Sequence, residues 1–583
     1  MLRKLWDILT RAERVRMCVL LAAIVVGSVW EALALGMVVP FIGLINNPAT
    51  LEWKRWKWVA ARTGSLNTSQ VLLFAAAGLF VLFLLKNIYL TVLTRVQFSF
   101  AYSTQAALSC RLLRAYLSAP WPFHLQHNTS ELLRDVNVEV PLVFGNVLNP
   151  LVVLVTESLV TLAVLGLLLW VDPVSSLLSI GLLGGASLGF YRLVRRKTDR
   201  LGNEQQRTRG AMIKCVNEGL GAIKETKVLG REEYFTTAFG RESREFARAT
   251  AYLATVSQLP RFFLEVVIIG GMLVVLSVVT WRHRDSASAF AALALCGVAA
   301  FRLMPAMNRM VSCVANIRYH RSAVSVVHAG IERFGHMAVG STPRSSSQTG
   351  LPFQHQLELR EVGYRYPEAT GDSIRSISLV VPMGTSVGIK GPSGAGKTTL
   401  VDVVVGLLAP TRGQVLVDGQ DVYEDLDGWR RRLGYIPQNV YLLDDSVRRN
   451  VAFGVPDTEI DGERVWAALR AAQLEKLVRQ LPDGLDAGVG ERGVRFSGGE
   501  RQRLGIARAL YHDPDVLVLD EATGSLDVET EREVTAAIQG LRGTKTLIVI
   551  THRLATIERC DVIYDLTDGR IADMRWSKSL AGA

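Results

Sequence analysis

Gly391-Pro-Ser-Gly-Ala-Gly-Lys-Thr398 stands between the apolar run Ser386-Val-Gly-Ile-Lys390 and a helix-forming segment, Thr399-Leu-Val-Asp-Val-Val404. Strand, glycine loop, helix is the order of a phosphate-binding loop. Such a loop cradles an anion because its backbone N–H groups and the first turn of the helix are unpaired donors at the positive end of the helix dipole. Lys397 is placed to reach the β- and γ-phosphates of a nucleotide, and Thr398 to ligate Mg²⁺. The expected contacts of this segment are Gly391, Pro392, Ser393, Gly394, Ala395, Gly396, Lys397, Thr398 and Thr399, and the expected cofactors are ATP and Mg²⁺.

Downstream, Asp515-Val-Leu-Val-Leu-Asp520-Glu521 reads as a buried strand ending in two carboxylates. Acidic side chains at the end of an apolar strand need a reason. Asp520 can hold Mg²⁺ and Glu521 can polarise the attacking water. Between these motifs, Phe496-Ser-Gly-Gly-Glu-Arg-Gln-Arg503 leads into the helical Leu504-Gly-Ile-Ala-Arg-Ala-Leu510. Ser497, Gly498, Gly499 and Glu500 thus open a second helix N-terminus suited to a phosphate. One nucleotide rarely needs two such loops from one chain.

Together these motifs resemble the ATPase of the ABC transporter family, and the likeness covers the whole chain, membrane domain first. In that family the two loops face each other across a head-to-tail homodimer and enclose ATP between them. The resemblance implies that Tyr366 in Tyr364-Arg-Tyr-Pro367 stacks on adenine, and that Gln438 in Tyr435-Ile-Pro-Gln438 senses Mg²⁺ and water. It also implies that Asp527 in Gly524-Ser-Leu-Asp527 communicates across the dimer and that His552 in Val549-Ile-Thr-His552 contacts the γ-phosphate. Gly490-Glu-Arg-Gly493 resembles the loop that touches the membrane domain of exporters. The expected catalytic set is Glu521, His552, Lys397 and Gln438, with Thr398, Gln438 and Asp520 around Mg²⁺. Two departures stand out, Phe496 and Glu500 where the family usually has Leu and Gln, and Gly524-Ser525 where it usually has Ser-Ala. Because Glu521 and His552 are both present, two hydrolytically competent sites per homodimer are expected.

The rest of the chain belongs to a membrane. Its 583 residues are 49% hydrophobic, with mean hydropathy +0.23. The net charge of +11 sits in Lys/Arg stretches flanking apolar runs, which argues against a nucleic-acid partner and for loops of a membrane protein. Six runs near 17–44, 71–94, 142–170, 174–193, 262–280 and 287–310 approach or exceed the length that crosses a hydrocarbon core. Val171–Pro173 and Trp281–Ser286 are short connections, whereas 192–261 is long and rich in Arg and Lys. The positive-inside rule therefore makes that side cytoplasmic, so both termini are expected to face the cytoplasm, in a membrane expected to be a bacterial plasma membrane. The apolar run after Arg16 is too long for a signal-peptide core. The cysteines show no metal-type spacing, so free thiols and no zinc are expected.

The expected fold class is an all-α six-helix transmembrane domain, residues 1–338, a linker, 339–352, and an α/β phosphate-loop ATPase domain, 353–583. Residues 95–118 continue the second span as a stalk, and Asn128–Arg134 and Glu218–Phe239 read as stalk tips suited to docking a second domain. The segment Leu51-Glu-Trp-Lys-Arg-Trp-Lys-Trp58 reads either as an interfacial helix, since Trp with Lys or Arg favours the headgroup layer, or as an ordinary loop helix.

Ionisable residues within spans are functional candidates. Lys86, Arg261 and Arg302 stand at a similar depth, roughly 24 Å in at the helical rise. Facing a cavity, they form an anion site for a phosphate or pyrophosphate. The alternative is that they snorkel to the interface, or that Arg261 neutralises Glu265. Leu259-Pro-Arg-Phe-Phe-Leu-Glu265, Ala300-Phe-Arg-Leu-Met-Pro-Ala-Met-Asn-Arg309 and Met1-Leu-Arg-Lys-Leu-Trp6 are similar to the lipid-linked oligosaccharide flippases of bacterial protein N-glycosylation. Lys86 stands there in place of an arginine, keeping the charge without the bidentate fork. That resemblance implies outward flipping of a lipid-linked anionic glycan among membrane lipids; a multidrug, lipid or peptide exporter is the alternative.

Overall fold

The computed structural model describes residues 1–38, 41, 68–171, 173–281, 286–338, 351–367, 369–521, 528–551 and 553–576. The segment 51–58, the motif 524–527 and His552 lie outside these residues. Contacts divide the chain into two compact units, one of Met1–Ala119 with His127–Val339, the other of Gly340–Ala583 with Pro120–Gln126. The short helix Trp121–Gln126 groups with the second unit.

The first unit is helical. Arg11–Gly36 opens with a capping box, the Thr10 hydroxyl accepting from the Glu13 N–H while the Glu13 carboxylate accepts from the Thr10 N–H. Such reciprocal bonds satisfy N–H groups that a helix start otherwise leaves orphaned. Thr68–Leu117 runs unbroken through the second expected span and its stalk. Asn149–Val171, Pro173–Gly221, Glu232–Trp281 and Ser286–Tyr319 carry the remaining four. Among the described residues, Arg11–Gly36, Ser69–Leu117 and Thr129–Gly166 are long and apolar enough to cross a membrane. The third expected span starts irregularly, with two π-helical segments, Asp135–Glu139 and Val143–Leu148, on either side of Val140–Leu142. The second stalk tip is a break rather than a continuous helix. Ile223–Val228 is bounded by Gly221 and by Gly230 at φ +60° before Glu232 restarts the chain.

Close packing fixes how these helices lie. A Cβ at Gly202 would stand 2.2 Å from the Tyr319 carbonyl oxygen, so the approach of Pro173–Gly221 to Ser286–Tyr319 depends on that glycine. The Tyr89 hydroxyl donates to the Ala23 carbonyl at 2.8 Å, tying the second span to the first.

Among the described residues, the second unit has ten strands: β1 Gln356–Tyr364, β2 Ile374–Pro382, β3 Ser386–Lys390, β4 Arg412–Val417, β5 Gln420–Asp421, β6 Leu433–Ile436, β7 Val516–Asp520, β8 Thr546–Ile550, β9 Val562–Thr567 and β10 Arg570–Trp576. They form a sheet of order β2-β1-β4-β5 and a second of order β10-β9-β3-β8-β7-β6. In the second, β9, β3, β8, β7 and β6 are parallel neighbours. Both faces of such strands are covered. The all-buried β7 and β8, Val-Leu-Val-Leu-Asp and Thr-Leu-Ile-Val-Ile, have the composition this requires.

Among the described residues these elements enclose two apolar cores, one between the sheets and one beneath the helix Gly498–Leu510. Leu351 and Phe353 both pack in the first. Trp429 is fully buried in that core, and its indole donates to the Val404 carbonyl at 2.8 Å. That anchors the far end of the helix Lys397–Val404.

Candidate functional site

The phosphate loop leaves β3 at Lys390 and enters the helix Lys397–Val404 through Gly396, held at φ +98°. Two of its glycines are sterically required. A Cβ at Gly391 would lie 2.2 Å from the Leu566 carbonyl oxygen, and one at Gly396 would lie 2.6 Å from that of Ser373. Pro392, Ser393, Gly394 and Thr398 are exposed. The Lys397 ammonium is nearly buried and donates to the carbonyls of Gly391 at 2.9 Å and Pro392 at 3.0 Å. It is therefore held inside the loop whose phosphates it is placed to reach.

The strand β7 brings Asp520 and Glu521 to the same place. Glu521 adopts φ +48°, a left-handed conformation that a residue with a Cβ seldom takes, and its N–H donates to the Ile550 carbonyl at 2.8 Å. Its carboxylate accepts from the Gln438 amide at 2.9 Å and lies 4.0 Å from the Lys397 ammonium. Burial, aided by the Glu521 charge, pushes the Asp520 carboxyl above its usual range. Lys397, Gln438, Asp520 and Glu521 thus meet in one cluster. Its exposed hydroxyl at Thr398 and its carboxylates are hard oxygen donors of the kind Mg²⁺ takes.

Tyr366 stacks edge-on against Tyr364 at 5.0 Å, and its hydroxyl meets the Thr399 hydroxyl at 3.2 Å. That bond seats the aromatic beside the first turn of the phosphate-loop helix and turns the buried Thr399 toward Tyr366. In the second loop, Ser497 caps the helix Gly498–Leu510, accepting from the Glu500 N–H, while Glu500 accepts from the Ser497 N–H at 2.7 Å. Both sequence departures there have a physical role: Glu500 closes the cap, and Phe496 fills the second core. Ser497 and Gly498 are exposed.

Residues 374–524 match the family model for "ABC transporter", and residues 17–315 that for "ABC transporter transmembrane region". The chain belongs to the ABC transporter family.

Its relatives include an "ATP-dependent lipid A-core flippase" from Cupriavidus metallidurans, 33% identical over 475 residues that cover 80% of this chain and 78% of the relative. A protein of the same description from Methylococcus capsulatus is 30% identical, covering 78% and 75%. The fold matches the structure of a bacterial Atm1-family ABC exporter with ATP bound, at a TM-score of 0.73 and 21% identity, over 97% of this chain and 96% of that one. This ABC transporter is a multi-pass membrane protein that binds ATP and couples its hydrolysis to transport.

The membrane candidates stand in unlike surroundings. Lys86 is 8% exposed, its ammonium 4.8 Å from the centre of the Phe83 ring. Arg261 is exposed, directly after Pro260 within the helix Glu232–Trp281. Arg302 lies on Ser286–Tyr319, and its side chain is outside the described residues. Counting cations alone missed the buried acids of the same bundle. Glu31 is buried in the helix Arg11–Gly36, and Glu157 accepts from Arg309 at 2.6 Å, joining Asn149–Val171 to Ser286–Tyr319. Single glutamates inside two apolar runs were the signal available in the sequence.

Proposed function

We propose that this ABC transporter works as a homodimer that flips an anionic lipid-linked glycan from the inner to the outer leaflet of a bacterial plasma membrane. The observation that carries the reading is the pairing, on one chain, of a complete phosphate loop with a second, outward-facing helix N-terminus at Ser497–Gly499. The second loop gains a purpose once another copy supplies a nucleotide to it. Relatives described as lipid A-core flippases support a lipid cargo, as do the cations Lys86, Arg261 and Arg302.

In the proposed cycle, the phosphate loop binds ATP and the Ser497 loop of the other copy closes on it. Thr398, Asp520 and Gln438 would hold Mg²⁺, which when bound would supply positive charge against that of the phosphates. Glu521 orients the attacking water, Lys397 and His552 face the γ-phosphate, and Asp527 links the two copies. The stalk tips carry closure to the spans, and the cavity re-opens outward. Such alternation requires the nucleotide to bind one state better than the other, which a sandwich formed only on closure supplies.

Reconstitution into proteoliposomes with a fluorescent lipid-linked oligosaccharide tests the reading. ATP-dependent loss of inner-leaflet label is expected. Turnover stimulated by hydrophobic drugs or peptides, with no lipid movement, would overturn it.

A further inference from the structure

The segment from β6 to Gln438 supplies a donor to each of the two consecutive carboxylates at the end of β7. Gln438 serves Glu521, and the Tyr435 hydroxyl stands 3.4 Å from Asp520 Oδ2. Parallel pairing of Tyr435 with Val518 and of Ile436 with Leu519 fixes that reach. On the other side, the helix Lys397–Val404 packs against β7. It carries Asp402 one turn beyond Thr398, on the same helical face. Asp402 is 7% exposed, close enough to Asp520 for the two charges to oppose each other, and it accepts from the Trp121 indole.

Neither Tyr435 nor Asp402 has a part in the hydrolytic roles assigned above. A second buried carboxylate beside Asp520 is unfavourable by itself, because like charges in a desolvated place repel. An asparagine would accept the same indole bond without that repulsion. The arrangement becomes favourable when a cation joins the carboxylates, since a divalent ion is the largest local charge in such a site. Resting on the reading of Asp520 as the metal carboxylate, we infer that Asp402 and Tyr435 are positioning residues for the divalent cation. Asp402 adds a negative charge behind Thr398 and Asp520, and Tyr435 fixes the orientation of the Asp520 carboxylate. Outer groups of this kind alter metal affinity by about 10- to 100-fold at other sites.

The full-length transporter in detergent tests this by Mn²⁺ titration in the presence of ATP, followed by electron paramagnetic resonance, alongside metal-free ATP binding. Asp402→Asn, which keeps the size and the indole acceptor, is expected to weaken Mn²⁺ binding about 10-fold and to leave metal-free ATP affinity unchanged. Tyr435→Phe, a milder variant that deletes one hydroxyl, is expected to weaken Mn²⁺ in the same direction. In hydrolysis assays both raise the Mg²⁺ concentration for half-saturation more than they lower kcat. Unchanged Mn²⁺ affinity in the two variants, beside a clear loss in Asp520→Asn, would overturn the inference alone. Unchanged affinity in Asp520→Asn would overturn the reading of the metal site as well.

Discussion

Gln438 donates its side-chain amide to Glu521, Nε2 to Oε2, at 2.9 Å. The residue expected to sense the metal and the residue expected to polarise water are thus already joined. Because Lys397 bonds to the loop carbonyls of Gly391 and Pro392, both loops hold their key side chains through internal bonds that a bound nucleotide can exchange for its own.

Glu521→Gln keeps the shape and the contact with Gln438 but removes the base. Phosphate release is expected to fall by about 100-fold or more, in line with the weight of general-base catalysis, while ATP binding is retained. Turnover at the wild-type rate would end the catalytic assignment.

Replacing Lys86, Arg261 and Arg302 together with Gln is expected to bring flipping of the labelled lipid down to the ATP-free background. Fluorescent ATP binding by the same variant should match wild type. Normal flipping would remove the anion site from the mechanism.

The cap at Ser497 separates two effects. Ser497→Ala is expected to lower stability by about 1 kcal/mol, the usual worth of a serine cap. Glu500→Gln should leave the melting temperature unchanged, because Gln at the third helical position also reaches back to the cap N–H. Equal losses in both variants would show that the Glu500 charge, rather than the cap, is what matters.

His320 provides a pH test beyond the sixth expected span. Burial, with the nearby Arg209 charge, lowers its pKa to about 4, while its bond to the Asn316 carbonyl opposes the shift. The folded state therefore takes up its proton later than the unfolded one as pH falls. The stability contribution of this neutral histidine is complete above about 6.5 and is lost as pH drops toward 4, roughly 2 kcal/mol of it by pH 5. Between pH 7 and 5 the melting temperature of His320→Gln should fall less than that of wild type. Parallel curves would exclude His320 as a source of acid sensitivity.

The ATPase domain was legible because its chemistry is local: Gly391–Thr398 and Asp515–Glu521 each carry strand, turn and ligand within one short stretch. The spans were legible from length and apolarity, and the stalk of Thr68–Leu117 from its unbroken continuation. Partnerships between distant segments were less accessible. The opposition of Tyr435 and Asp520 depends on the register of two strands separated by many residues. The Glu157–Arg309 pair depends on which faces of two spans meet, and periodicity gives no face to a run that is apolar all round. The π turns before Asn149 were invisible because their residues suit an α-helix equally well.

Those tandem π turns have an evolutionary consequence. Each closes its hydrogen bond one residue later than an α turn, so the stretch Asp135–Leu148 carries surplus chain at two points. One residue more or fewer in an ordinary helix swings everything beyond it by about 100°. Here a deletion can be absorbed by converting a π turn to an α turn, leaving the stalk and the span aimed as before. Length variants among homologous chains should collect in this stretch, where the lineage can gain or lose single codons while both ends of the helix keep their facing.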